Sequence, residues 1–85
     1  MYYLYIIQSE KYGKLYTGIS DDVCRRLAKH NSGGVRSTRA YRPYRIAFTE
    51  KYNDKTEARK RELFLKSGQG RKWIRDNILI KWRGG

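Results

Sequence analysis

The sequence predicts one small α/β (α+β) domain, a three-stranded antiparallel sheet flanked by helices, and three observations carry that reading. Two runs rich in aromatic and β-branched residues, Tyr2-Tyr3-Leu4-Tyr5-Ile6-Ile7 and Leu15-Tyr16-Thr17-Gly18-Ile19, bracket a polar stretch from Ser9 to Gly13, which is a hairpin signal. Capped helical segments are expected over 21–31 and about 55–67. A chain of 85 residues has material for a single compact core, so the domain is expected to span 1–85.

Side chains alternate across a strand, which puts Tyr3 and Tyr5 on one face of the first strand and Leu4 and Ile6 on the other. In the second, Tyr16 and Gly18 oppose Leu15, Thr17 and Ile19. A turn centred near Glu10-Lys11 sets Tyr5 opposite Tyr16 as cross-strand neighbours. Ser20 is the expected N-cap of the first helix, with Asp21 and Asp22 at the positive end of its dipole and a stop at Asn31 to Gly34. Residues 32–43 read as a basic loop carrying Arg36, Arg39 and Arg42. Arg45 to Lys51, with Ile46 and Phe48 alternating, is the third strand. Asp54 and Glu57 form a capping box for the second helix. Ser67-Gly68-Gln69-Gly70 breaks it, and a final helix runs from Arg71 to about Lys81 with Trp73, Ile74, Ile78 and Leu79 as its apolar content.

Twenty Lys plus Arg against eight Asp plus Glu give a net charge of +12. The charge is uneven: residues 1–24 hold Lys11 and Lys14 against Glu10, Asp21 and Asp22, a net −1, and residues 25–85 carry +13. Such a surface attracts a polyanion, because Lys and Arg displace the counterions condensed on nucleic-acid phosphates. An anionic membrane is the weaker match, since the aromatics fall in strand-like segments rather than along an amphipathic helix. The longest apolar run, Tyr2 to Ile7, is far short of the ~20 residues of a membrane span. No basic leader precedes it, so the chain is expected to be soluble and cytoplasmic. One Cys (Cys24) and one His (His30) exclude an intrachain disulfide and a four-ligand zinc site of Cys and His.

A helical wheel separates two adjacent arginines. With Val23 at zero, Leu27 falls at about 40°, His30 at about −20° and Arg26 at about −60°, whereas Arg25 lies at about 200°. Arg26 and His30 therefore border the inward stripe, and Arg25 faces solvent. Snorkelling by Arg26 and a dipole contact by His30 account for this without any function. In the second helix, with Ala58 at zero, Leu65 falls near −20° and Glu62 near 40°, so a carboxylate occupies a stripe that should be apolar. Pairing with Lys66 or Arg59 is the plain explanation for Glu62, as pairing with Arg61 is for Glu57. Cys24 lies about 120° from His30, which disfavours a Cys-His nucleophilic pair.

Taken together these residues resemble the GIY-YIG nuclease superfamily, and the match runs over nearly the whole chain. Its first signature corresponds to Tyr3-Leu4-Tyr5 and its second to Tyr16-Thr17-Gly18. Arg26 stands ten residues after Tyr16, at the family's spacing for its catalytic arginine, and Glu57 to Lys66 match the helix that carries its metal-binding glutamate, at Glu62. Tyr3 replaces the glycine of the first signature, and Leu4 and Thr17 replace the two isoleucines. The nearest likeness is to small stand-alone bacterial members; Asn77 is a candidate for the asparagine some members use late in the chain.

The resemblance implies metal-dependent hydrolysis of DNA phosphodiester bonds, with duplex or branched DNA as partner and a link to repair or recombination. Glu62 would anchor Mg²⁺ (or Mn²⁺), and Arg26 would clamp the phosphate oxygens on which charge grows. Tyr16 would be the general base or orient the water, a role that requires a phenol's ordinary pKa of about 10 to be drawn down. Tyr5 would hydrogen-bond the same water or phosphate, and His30 is a second candidate acceptor of the proton. Gly18 is expected to leave room for a phosphate beside Tyr16. Arg36, Arg39, Arg42 and Lys72 are expected to touch phosphates without reading sequence. The alternative reading is a non-catalytic basic nucleic-acid-binding module; protein partners stay open.

Overall fold

The computed structural model describes Met1–Ile78, and its element order is β1 (Tyr2–Ser9), β2 (Leu15–Ser20), α1 (Val23–Asn31), a 3-10 turn (Arg39–Tyr41), β3 (Tyr44–Tyr52), α2 (Lys55–Leu65) and α3 (Gly68–Asn77). The expected three-stranded antiparallel sheet forms in the order β2-β1-β3, so the first strand lies in the middle and is buried from Leu4 to Ser9. The last part of the final helix, Leu79 to Lys81, lies outside the described residues.

Two apolar clusters sandwich β1. On one face Leu4 and Ile6 pack with Leu65 of α2 and Ile74 and Ile78 of the α3 end, joined by Leu15, Ile19 and Phe48. On the other, Tyr5, Ile7 and Tyr44 pack with Tyr16 and with Val23 and Leu27 of α1. Each fully buried aliphatic side chain is worth about 1.5–3 kcal/mol relative to exposure, and β1 supplies them to both layers. The alternation expected for β1 and β2 therefore holds, with aliphatic residues toward α2 and α3 and tyrosines toward α1.

Four local expectations need correction. The hairpin register pairs Tyr5 with Gly18 and Ile7 with Tyr16, two residues away from the expected pairing. The cause is the turn itself: Gly13 takes a left-handed φ of 72° and its N–H donates to the Ser9 carbonyl, which carries the chain reversal further along. A shift of two keeps every side chain on its face. Second, the β1–β3 register slips between Ile6 and Ile7, which face Phe48 and Ile46 and leave Ala47 unpaired. This bulge sends Phe48 to the α3 side and Ile46 to the α1 side, where simple alternation would have kept them together. Third, α1 is capped by Asp22, whose Oδ1 accepts from Arg25 N at 3.0 Å, while Ser20 ends β2 and hydrogen-bonds the Asp22 backbone. Fourth, the Ser-Gly-Gln-Gly stretch is the start of α3: Ser67 caps it by accepting from Gly70 N, and Gly70 is buried in its first turn.

The capping role of Asp54 stands, its Oδ1 accepting from Glu57 N at 2.9 Å. Glu57 pairs with Lys60 at 3.5 Å, and Arg61 turns to the Glu50 carboxylate of β3, with Nε to Oε1 at 2.9 Å. That half-buried fork ties α2 to the sheet and lays the guanidinium over the Trp73 ring.

Candidate active site

β1 and β2 bring the tyrosines together, and α1 brings the arginine and histidine to them. Because Tyr5 and Tyr16 are diagonal partners on the α1 face, their rings lie 6.3 Å apart. The His30 ring sits 4.8 Å from that of Tyr16 and 6.1 Å from that of Tyr5. The wheel reading of α1 holds: Arg26 is half-buried toward the phenols, whereas Arg25 is exposed and paired with Asp21 at 2.7 Å.

Gly18 takes a different part from the one expected. A Cβ there would stand 2.7 Å from Tyr5 Oη and 2.8 Å from Cζ, so the space the glycine leaves is filled by the Tyr5 ring and holds no phosphate. Tyr5 is consequently 1% exposed, and its oxygen meets His30 Nε2 at 3.2 Å. A phenol so enclosed supports the site from within, and Tyr16 is the tyrosine with open surface.

The electrostatics follow from this packing. Burial, above all, pushes the Tyr5 phenol above its ordinary pKa; the Arg26 guanidinium works against that shift, while Tyr16 and Glu62 add to it. Arg26 is in turn held in its charged form chiefly by Tyr5, without closing a well-aligned hydrogen bond to either phenol among the described residues. His30 is 0% exposed, and its pKa is lowered first by burial and then by the charges of Arg26 and Lys29. Its imidazole is neutral at pH 7. A ring with no open surface cannot take a proton from a substrate water directly.

Glu62 is 6% exposed on the sheet-facing side of α2, as the wheel implied. Both plain pairings are present: Arg59 Nη1 to Oε1 at 3.2 Å and Lys66 Nζ to Oε2 at 3.1 Å. Its charge is the last of the causes that act on the Tyr5 phenol, after burial, Arg26 and Tyr16. No group of three or more His, Cys, Asp or Glu that could hold a metal occurs among the described residues, so any cation here would rely on this one carboxylate, water and substrate oxygens.

A cleft of about 440 Å³ opens along the β2 edge, lined by Lys14, Tyr16 and Thr17 on one side and Leu65, Lys66 and Arg71 on the other. Lys14, Lys66 and Arg71 thus share this cleft with Tyr16. Arg71 lines this cleft; Lys72, named from the sequence, pairs with Asp76 at 3.1 Å. Arg36, Arg39 and Arg42 are exposed on the loop after α1, where Arg39 Nε donates to the Gly33 carbonyl and Arg42 Nη1 to the Arg39 carbonyl. Asn77 spends its amide on the Trp73 carbonyl and borders Gln8, Arg45 and Phe48, away from the cleft. Cys24 is exposed while His30 is buried, as their wheel positions implied.

Two site residues were not singled out in the sequence. The Asn31 side chain clamps the start of β3, donating to the Tyr44 carbonyl at 3.0 Å and accepting from Tyr44 N at 2.6 Å, which fixes the end of α1 that carries His30. Thr38, 2% exposed, places Oγ1 2.8 Å from His30 Nδ1. Each contact joins a helix to a segment beyond an irregular loop, and no spacing rule reports such a meeting.

The chain is also similar to known proteins. A family model described as the GIY-YIG catalytic domain matches residues 1–75. A UPF0213 protein of Staphylococcus aureus is 40% identical over 83 residues, covering 96% of each chain. One from Staphylococcus saprophyticus is 40% identical over 67 residues, or 78% of this chain and 80% of that one. The solution NMR structure of a UPF0213 protein from Bacillus halodurans is similar at a TM-score of 0.50 and 34% identity, over 96% of this chain and 87% of that one.

Proposed function

The chain belongs to the GIY-YIG family, whose model describes a catalytic domain of nucleases, and from that premise we propose that it is a metal-dependent endonuclease acting on DNA phosphodiester bonds. The observation that carries this reading is the meeting of Tyr5, Tyr16, Arg26 and His30, from three elements, in a domain whose α2 buries the carboxylate of Glu62.

A lone carboxylate suits Mg²⁺ or Mn²⁺, which keeps most of its waters and takes one or two carboxylates with phosphate oxygens. Arg59 and Lys66 hold Glu62 from largely exposed side chains, so both can swing aside for a dication. When bound, the ion supplies Lewis acidity at the phosphate and charge neutralisation at the leaving oxygen. Arg26, facing the same cluster, holds the oxygens on which charge develops. Tyr16, which lines the cleft, orients the attacking water, or takes its proton after losing its own to solvent. Tyr5 and His30 keep that phenol and guanidinium in register from beneath. Lys14, Lys66, Arg71 and the loop arginines serve the DNA backbone, which favours selection by DNA shape over sequence and suits branched substrates of repair or recombination.

The test is incubation with nicked, flapped, branched and plain duplex DNA, with Mg²⁺ and with EDTA. Products that require Mg²⁺ are expected. Glu62→Gln is expected to abolish them while DNA affinity stays the same or rises, because a negative charge has been taken from a phosphate-binding surface; wild-type turnover in that variant would sink the metal assignment. The double pairing of Glu62 favours a second reading, a non-catalytic DNA-binding module, which salt-dependent binding with no product in any arm would support.

A further inference from the structure

Below the tyrosines lies a chain of contacts that the proposed reaction does not use: Tyr5 Oη to His30 Nε2 at 3.2 Å, His30 Nδ1 to Thr38 Oγ1 at 2.8 Å, and Thr38 Oγ1 to the Val35 carbonyl at 3.3 Å. All three side chains are at most 2% exposed, so water cannot supply missing partners. A neutral imidazole carries one ring proton, and the direction of the whole chain follows from which nitrogen holds it.

Thr38 has a single hydroxyl proton and two candidate acceptors. The Val35 carbonyl already accepts from Thr38 N at 3.2 Å and Arg39 N at 3.1 Å, which occupy its two lone pairs, and the hydroxyl stands 3.3 Å from it. That is long for an O–H···O bond, whose usual length is about 2.7–2.8 Å. The 2.8 Å separation from Nδ1 is short and lies at a ring nitrogen with no other partner among the described residues. The hydroxyl therefore donates to Nδ1, the ring proton sits on Nε2, and Nε2–H donates to Tyr5 Oη.

We propose that Thr38 is a positioning residue that fixes His30 in its Nε2–H form and so turns the Tyr5 hydroxyl proton outward, toward the site, instead of letting the imidazole absorb it. This rests on the nuclease reading only for its catalytic consequence. In this arrangement His30 has no lone pair facing Tyr5, so it is a support, and the role of proton acceptor falls to Tyr16. The Tyr5 hydroxyl proton then points away from the imidazole, on the side where Tyr16 and Arg26 lie.

The chain has one histidine, so a two-bond ¹⁵N–¹H correlation spectrum reports this ring alone. The expected wild-type pattern is a protonated Nε2 and a bare, hydrogen-bonded Nδ1. Thr38→Val, which keeps the shape and removes the hydroxyl, should move the Nδ1 resonance toward that of a free ring nitrogen and lower the single-turnover cleavage rate about tenfold with DNA affinity unchanged. Thr38→Ser should restore both. A wild-type spectrum with the proton on Nδ1 overturns the proposal, as does a Thr38→Val spectrum identical to wild type. Because the spectrum needs no substrate, an absence of cleavage by the wild type defeats the nuclease reading while leaving the tautomer to be decided on its own.

Discussion

Arg25 and Arg26 are adjacent, equally charged and drawn from the same helix, yet one is spent on Asp21 in solvent and the other turns to the phenols. Their contrast is a test at the scale of a single residue. Arg26→Ala should reduce single-turnover cleavage by at least about a hundredfold, the loss expected when one transition-state donor is removed. Arg25→Ala should leave the chemical step intact and lower affinity by one phosphate contact at most, since its exposed ion pair is worth little. Equal rates in the two variants would contradict the site. His30 supplies a second test. Its folded pKa lies below its ordinary value of 6.5, so the unfolded chain binds the proton more readily. The stability this group contributes is therefore complete above about pH 6.5 and is lost as the pH falls below it, toward the lowered folded value. Thermal midpoints between pH 7.5 and 5 should fall for the wild type and stay flatter for His30→Gln. A parallel decline in both would refute a buried neutral imidazole. The wheel revealed the directions of Arg26, His30 and Glu62 because those depend only on the period of a helix. Thr38 was hidden because its role depends on how a 3-10 turn folds back over α1.

At the scale of elements, capping chemistry and periodicity were legible where local rules act alone, as at Asp54 and on the faces of β1. They failed where one element is shaped by another. The bulge at Ala47 exists because β3 must present Phe48 to Trp73 and Ile46 to the α1 layer, a demand of tertiary packing. The glycine-containing stretch after α2 read as a breaker, yet it is an N-cap followed by a helix whose first turn presses on the end of α2. A Cβ on Gly70 would run into the Phe64 carbonyl and Leu65 Cα, which are backbone and cannot rotate away. Gly70→Ala is therefore expected to destabilise the fold by about 1–3 kcal/mol or more, even though alanine is the better helix former. Gly68, whose Cβ would meet nothing within 4 Å, is the control and should accept alanine with no loss. A denaturant midpoint for Gly70→Ala equal to that of Gly68→Ala would show that the α2–α3 contact is looser than described.

At the scale of the whole molecule, several of the cations behind the net charge of +12 fall in two groups: the loop arginines follow α1, while Lys14, Lys66 and Arg71 line the β2 cleft. No described helix is long and apolar enough to cross a membrane. If three or more of these cations each neutralise a phosphate, affinity for DNA should fall about tenfold or more between 50 and 200 mM salt. Fluorescence anisotropy over that range measures it, and a flat titration would reject the basic surface as the docking face. Composition made this scale legible at once, because net charge needs no fold to be counted; the cleft beside Tyr16 was not legible, since Lys14, Lys66 and Arg71 meet only when the sheet edge and the α2–α3 corner are assembled.

The placement of β1 at the centre of the sheet has a further consequence during synthesis. Its first partner, β2, follows after a five-residue turn, so that hairpin can close within microseconds of leaving the ribosome. Its second partner ends at Tyr52, and at a synthesis rate of roughly 5–20 residues per second that strand arrives some seconds later. Through that interval the nascent chain presents one open strand edge beside the uncovered side chains of Leu4 and Ile6. A neighbouring copy on the same messenger could pair with that edge before β3 does. The segment made in the meantime, from α1 to the loop arginines, is strongly cationic, and the like charge of two such segments opposes their approach.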